Sequence, residues 1–274
     1  MALSIRSDVS AMSAAFDLNR TQRDMRDNLQ RVSTGLRVTK AADDSAGLAV
    51  ATDLTTAARS TRQAMRNSND GISIIQTAES ASNEVKDILQ RMRELAVQAS
   101  SETVRDEERS YIQDEYDELS DEVARIASET EFSGLQLTDG TLTQLTVQVG
   151  INNNTSSRIN FELGELTTTV LGLGTAITLT STTGAQTAID TLDAALDSIN
   201  GYRAEFGAVQ NRLESSINNS QAFQQALTSA ASTIQDADYA EETSDMTRNQ
   251  IMQQAGTAAL VQARMINASV LALL

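Results

Sequence analysis

The 274-residue chain contains no proline, no histidine, no cysteine and no tryptophan, and each absence closes off a class of structure or chemistry. Without proline, no residue forces a helix to stop or kink, so long uninterrupted helices are permitted. Without histidine and cysteine, the common general base, the thiol nucleophile and the usual zinc or copper ligands are missing. Zero cysteine is compatible with a reducing cytosol and with an oxidising exterior alike. Aromatic residues make up only 3%. What remains is rich in Ala, Gln, Ser, Thr and Asn, which suits extended helices packed side by side better than a thick globular core. The composition points to work done by shape and self-association.

Length fits one or two domains, and 40% hydrophobic residues exclude a wholly disordered chain. A net charge of −16 and a pI near 4.4 argue against nucleic acid as a partner, because phosphate binding needs a basic face. No apolar run approaches the roughly 18 residues of a membrane span. The start, Met1 to Asp8, has no basic stretch followed by an apolar one, so no cleaved Sec-type leader is expected. Charge is unevenly placed. Residues 1–40 carry seven bases against four acids, a net of +3, whereas residues 232–274 carry two bases against five acids, a net of −3. The two ends are complementary in sign, as ends that pair would be.

Near the N-terminus, Ile5, Val9, Met12 and Phe16 step by four, three and four. After a phase shift, Leu18, Met25, Leu29, Val32 and Leu36 continue on a 3.5-residue grid. This predicts an amphipathic helix with a narrow apolar seam, ending near Gly35 in a left-handed cap. A second helix begins after Lys40, with Asp43, Asp44 or Ser45 to cap it. Unbroken, it would run roughly 80 Å at 1.5 Å per residue. Asn69-Asp70-Gly71 inside it looks like a hairpin turn, but alternating apolar flanks are missing, so Gly71 is read as a helical glycine. Ile112, Tyr116, Leu119, Val123 and Ile126 mark a third helix.

From about 132 to 185 the period changes. Leu145, Val147 and Val149 alternate with polar residues, as do Ile159, Phe161 and Leu163, across the polar loop 150–158. That alternation predicts β-hairpins. The hydroxyl-rich run Thr178–Thr183 shows no buried pattern and is expected to face outward, open to glycosylation. Helix returns at Ala188, and the last segment, Met246 to Leu274, has no acid and ends Val-Leu-Ala-Leu-Leu. An apolar terminus is costly to expose and is expected to be buried on assembly.

The fold class expected is mainly α: a long helical hairpin or coiled-coil rod built from the N- and C-terminal segments, with a small β-hairpin region in the middle. The expected domains are 1–42 with 232–274, and a rod over 43–231 with helices 43–100, 105–129 and 186–231 and hairpins over about 132–185. No catalytic, cofactor or metal site emerges. The only lysines, Lys40 and Lys86, lie in no nucleophile motif. Asp43 and Asp44 are better explained by capping, and the acids from Asp236 to Asp245 lack the glycine of a calcium loop.

The motifs themselves resemble one family. Leu29-Gln-Arg-Val-Ser-Thr-Gly-Leu-Arg37 followed by Ala42-Asp-Asp-Ser-Ala-Gly-Leu-Ala49 is similar to the N-terminal signature of bacterial flagellin. So are Leu89–Gln98, Glu131-Phe-Ser-Gly134, Ile234–Ala240, Gln250–Gly256 and Val270–Leu274, in family order. One departure is the absence of the proline usual near the C-terminus, so the last helix is expected to run further. The resemblance implies a structural, non-enzymatic subunit without cofactors. It would be exported through the flagellar type III channel, bound by a flagellin chaperone, and polymerised into a helical tube outside the cell. Hook-associated and cap proteins would be further partners.

It implies self-assembly residues on the terminal helices, namely Ile5, Val9, Met12, Phe16, Leu29, Val32, Leu36, Ile251, Leu260, Val270, Leu271, Leu273 and Leu274. It implies a helix junction at Gly35, Asp43, Asp44 and Gly47. It also implies an epitope for an animal Toll-like receptor at Arg91, Leu95 and Glu115. Alternatives are a hook–filament junction protein and, from another class, a secreted helical binding or membrane-active protein.

Overall fold

The computed structural model describes residues 9–174 and 177–271. Its elements in chain order are α1 (Val9–Thr34), α2 (Ser45–Ala99), α3 (Asp106–Glu129), β1 (Glu131–Phe132), β2 (Leu135–Gln136), β3 (Gln144–Gln148), β4 (Arg158–Glu162), α4 (Thr182–Gln235) and α5 (Tyr239–Leu271). The mainly α class with a small β region is as the sequence leads one to expect. The chain forms two compact units, one of residues 1–56 with 226–274 and the other of residues 57–225. These divisions fall inside α2 and α4, whereas the boundaries drawn from the sequence, 42/43 and 231/232, lie close to loops.

In the first unit α1 and α5 lie antiparallel. At one end Leu36 and Asp236 form an antiparallel bridge, with Arg37 N donating to Gln235 O at 2.7 Å and Ala237 N to Gly35 O at 2.9 Å. Further along, Arg31 meets Glu242, and Leu18 lies over Gly256. The α1 side of the seam is Ala11, Ala14, Leu18, Thr21, Met25, Asn28 and Val32; the α5 side is Glu242, Met246, Asn249, Gln253, Gly256, Leu260 and Ala263. Both step by alternating threes and fours, the spacing of a coiled-coil seam. Small and polar residues make up much of it, so this pair buries little apolar area for its length. Gly35 ends α1 at φ +70°, its amide returning to Arg31 O at 2.8 Å.

The second unit has two apolar clusters. The first joins Leu89, Met92 and Leu95 of α2 to Ile112, Tyr116 and Val123 of α3, to Leu166, Leu171, Leu173 and Leu179, and to Leu192 and Ile199 of α4. The second joins Ile75 of α2 to Val147, Ile159 and Phe161 of the β3–β4 hairpin and to Phe206 and Leu213 of α4. The hairpin pairs Val147 with Ile159 and Leu145 with Phe161, so its inward residues alternate as the period of two requires. It also accounts for Gly71. A β-carbon there would stand 3.0 Å from Val147 Cγ2, so the helix is thinned where the hairpin crosses it.

The region expected to be hairpins up to 185 is strand only as far as Glu162, and α4 begins at Thr182. Between β4 and α4, described leucines do the packing of a missing strand: Leu166, Leu171, Leu173 and Leu179 are all buried. This corrects the reading of 178–183 as wholly outward. Thr178, Thr180, Ser181 and Thr183 are exposed, but Leu179 is fully buried and Thr182 accepts a hydrogen bond from Arg109 at 3.1 Å.

Candidate assembly and recognition surface

The residues expected to drive assembly fall into distinct environments. Val9, Met12 and Phe16 are 63%, 58% and 68% exposed. Leu18, Met25 and Val32 are half-buried in the α1–α5 seam. Phe16 and Leu18 are two residues apart, about 200° around a helix. The phase shift at that point therefore turns Val9, Met12 and Phe16 away from α5 and Leu18, Met25 and Val32 toward it. The two runs are separate faces, not one seam.

On α5, Leu260 is half-buried at the seam, while Ile251, Val261 and Met265 stand exposed. Leu29 is exposed, and Leu36 is half-buried at the junction. Ile5, Leu273 and Leu274, and the side chains of Val270 and Leu271, lie outside the described residues.

The junction between α1 and α2 is built by two adjacent carboxylates with different jobs. Asp44 Oδ1 accepts from Gly47 N at 2.8 Å and caps α2. Asp43 does not cap that helix. Its Oδ2 accepts from the backbone amides of Thr39 and Lys40 and from the Thr39 hydroxyl, closing the 39–43 turn. Those amide hydrogen bonds, Thr39 first, hold the Asp43 carboxyl below its ordinary range.

Arg91 and Glu115 are in contact: Arg91 Nη2 donates to Glu115 Oε1 at 2.7 Å, and Arg91 Nη1 to Glu94 at 3.1 Å. Hydrogen bonding to Glu115, then to Glu94, raises the guanidinium pKa. Leu95 is different. It is 2% exposed and belongs to the core against α3, so of the three epitope residues that the resemblance implies it offers no free side chain. Four residues are about 40° apart on a helix, enough for Arg91 to sit on the rim of the buried stripe and Leu95 within it.

Sequence reasoning missed Arg109. It is 6% exposed and donates to Ala99 O, Ser101 O, Thr182 Oγ1 and Asp106, tying the end of α2 to the starts of α3 and α4. The signal was present: Arg109 lies three residues before Ile112, on the same stripe. Arg93 and Asp193, linking α2 to α4 at 2.6 Å, carried no such signal.

Among the described residues no cluster of metal-ligating side chains is found, and no helix is long and apolar enough to cross a membrane. The comparisons decide the identity. Residues 5–143 match the bacterial flagellin N-terminal helical region, and residues 189–274 match the C-terminal helical region.

The chain belongs to the bacterial flagellin family.

A flagellin from Halalkalibacterium halodurans is 40% identical over 274 residues, covering 98% of this chain and 99% of that one. A flagellar filament 33 kDa core protein from Treponema phagedenis is 38% identical over 283 residues, with 98% and 99% covered. The crystal structure of Bacillus cereus flagellin is similar at 33% identity and a TM-score of 0.50, covering 57% of this chain and 88% of that one. As a flagellin, the chain is a structural subunit of the bacterial flagellar filament, a homopolymer outside the cell. The exposed apolar faces of α1 and α5 are thus found on a subunit that polymerises.

Proposed function

We propose that this flagellin polymerises by burying the outward faces of its terminal helices, Val9, Met12 and Phe16 on α1 and Ile251, Val261 and Met265 on α5, against neighbouring copies. Residues 1–42 with 232–274 form the inner part of the tube, and residues 43–231 form the rod. One observation carries the reading: large apolar side chains stand more than half exposed on helices whose mutual seam is in large part small and polar. Apolar burial at roughly 25 cal/mol per Å² then comes mainly from contacts between copies.

The test is Phe16→Asp, followed by sedimentation and electron microscopy after seeding. The expected result is a soluble monomer with unchanged helicity in its second unit and no filaments. Normal filaments from this variant would overturn the assignment of the α1 face. Export through the type III channel with a chaperone, and docking to hook-associated and cap proteins, are the partner steps that fit such a subunit; their support is the resemblance in the motifs. For a Toll-like receptor, the recognised groups are Arg91 with Glu115 and Glu94, and Leu95 supports them from beneath. The half-exposed guanidinium, already oriented by two carboxylates, supports this reading.

A further inference from the structure

The second unit holds a cleft of about 290 Å³ between α2, the loop of the β3–β4 hairpin and α4. In a chain of net charge −16, none of the residues lining it is charged. Its polar groups are hydroxyls and carboxamides, each able both to donate and to accept. Several of them are unused. Serines and threonines on α4 commonly return their hydroxyl to the carbonyl one turn back, as Thr187, Thr191, Ser198 and Ser215 do. Ser216 and Ser220, one turn apart on the cleft wall, do not; like Asn219 between them, their side chains have no hydrogen-bond partner among the described residues. Across the cleft, Ser157 is 8% exposed, and its hydroxyl likewise has no partner among the described residues. Two large apolar side chains flank these groups, Phe223 at 46% and Ile151 at 40% exposed.

The chemistry selects an occupant by elimination. A phosphate or carboxylate would find no cation here, and an ammonium or metal ion no carboxylate. A hydrocarbon would cover the Ser157, Ser216 and Ser220 hydroxyls, now open to water, and leave them unpaired. A neutral ring with hydroxyls on its edge and C–H groups on its face satisfies every part: the edge meets the serines and Asn219, and the face lies on Phe223. We propose that this cleft binds a neutral saccharide, at the scale of a single pyranose ring. The volume sits at the small end of the range for ligand sites.

The test titrates ¹⁵N-labelled full-length monomer with glucose, methyl β-galactoside and N-acetylglucosamine, and separately with glucosamine and N-acetylneuraminic acid. At least one neutral sugar is expected to shift the amides of Gly150–Ser157 and Ser216–Phe223 with a dissociation constant of millimolar order, and the charged sugars to bind at least about tenfold more weakly. Ser216→Ala with Ser220→Ala, and separately Phe223→Leu, should each weaken the neutral sugar by about fivefold or more while leaving the far-ultraviolet spectrum unchanged. Repeating the titration on protein purified from native filaments distinguishes the source. A site already filled by glycan on neighbouring copies binds no added sugar until the glycan is enzymatically removed, and a site for external saccharide binds directly. No shift of these amides by any neutral sugar, equal binding of charged sugars, or indifference to both variants would overturn the proposal. Filament assembly does not enter any of these outcomes.

Discussion

Arg91 and Leu95 are close in sequence and opposite in role, and substitution separates them. Leu95→Ala opens a cavity in the first apolar cluster and is expected to cost about 2–5 kcal/mol, lowering the melting temperature of the second unit. Arg91→Ala removes exposed hydrogen bonds and is expected to leave that melting temperature nearly unchanged. It should weaken activation of a Toll-like receptor reporter by the monomer at least about tenfold, roughly 1.4 kcal/mol. A reporter insensitive to Arg91→Ala would reject the epitope.

Asp43 makes a pH-dependent prediction. Its folded pKa is depressed below the ordinary carboxylate range by the Thr39 and Lys40 amides. Its contribution is therefore present above the unfolded pKa and is lost as pH falls through the lower folded one. Melting wild type beside Asp43→Asn should show a stability advantage at about pH 6 that shrinks below about pH 4. An advantage constant across that range would mean the carboxylate is not what closes the turn.

At the scale of elements, the α1–α5 pair is built to be weak. Asn28, Glu242 and Asn249 are buried on a seam that also holds Thr21, Gln253 and Gly256. Polar groups at such positions specify register at a cost in stability. In the free monomer, limited proteolysis should remove α1 and α5 first, cutting within residues 40–55 and near residue 230, and leave the second unit. Asn28→Leu combined with Asn249→Leu should lengthen the half-life of the terminal helices under the same protease. Faster or unchanged cleavage would show that the seam does not limit their stability. The spacing of threes and fours made α1 legible in sequence, as it did α3, whereas α5 was implied by the resemblance. Which of two apolar runs on α1 faces its partner was not legible, because a periodic pattern defines faces without saying what lies against them.

For the whole molecule, charge and apolar surface oppose each other. Each copy carries −16, so packing copies together concentrates like charge while burying apolar faces. Raising ionic strength from about 0.01 M to 0.15 M shortens the screening length from about 30 Å to 8 Å. The critical concentration for filament growth, read by sedimentation, should fall over that range. A rise would mean that ion pairs between copies outweigh the repulsion.

Sequence alone determined the helical class, the C-terminal end of α1, both ends of α3, the hairpin strands Leu145–Val147 and Ile159–Phe161, and the family, because each rests on local periodicity, caps or motifs within one stretch of chain. Only the tertiary structure decided that Leu95 is core, that Arg109 ties three helices, that Asp43 closes a turn instead of capping α2, and that Leu166, Leu171, Leu173 and Leu179 pack into the core from outside any strand. These outcomes depend on contacts between residues distant in the chain. A helix's own period cannot say how wide its buried stripe is until another element lies on it.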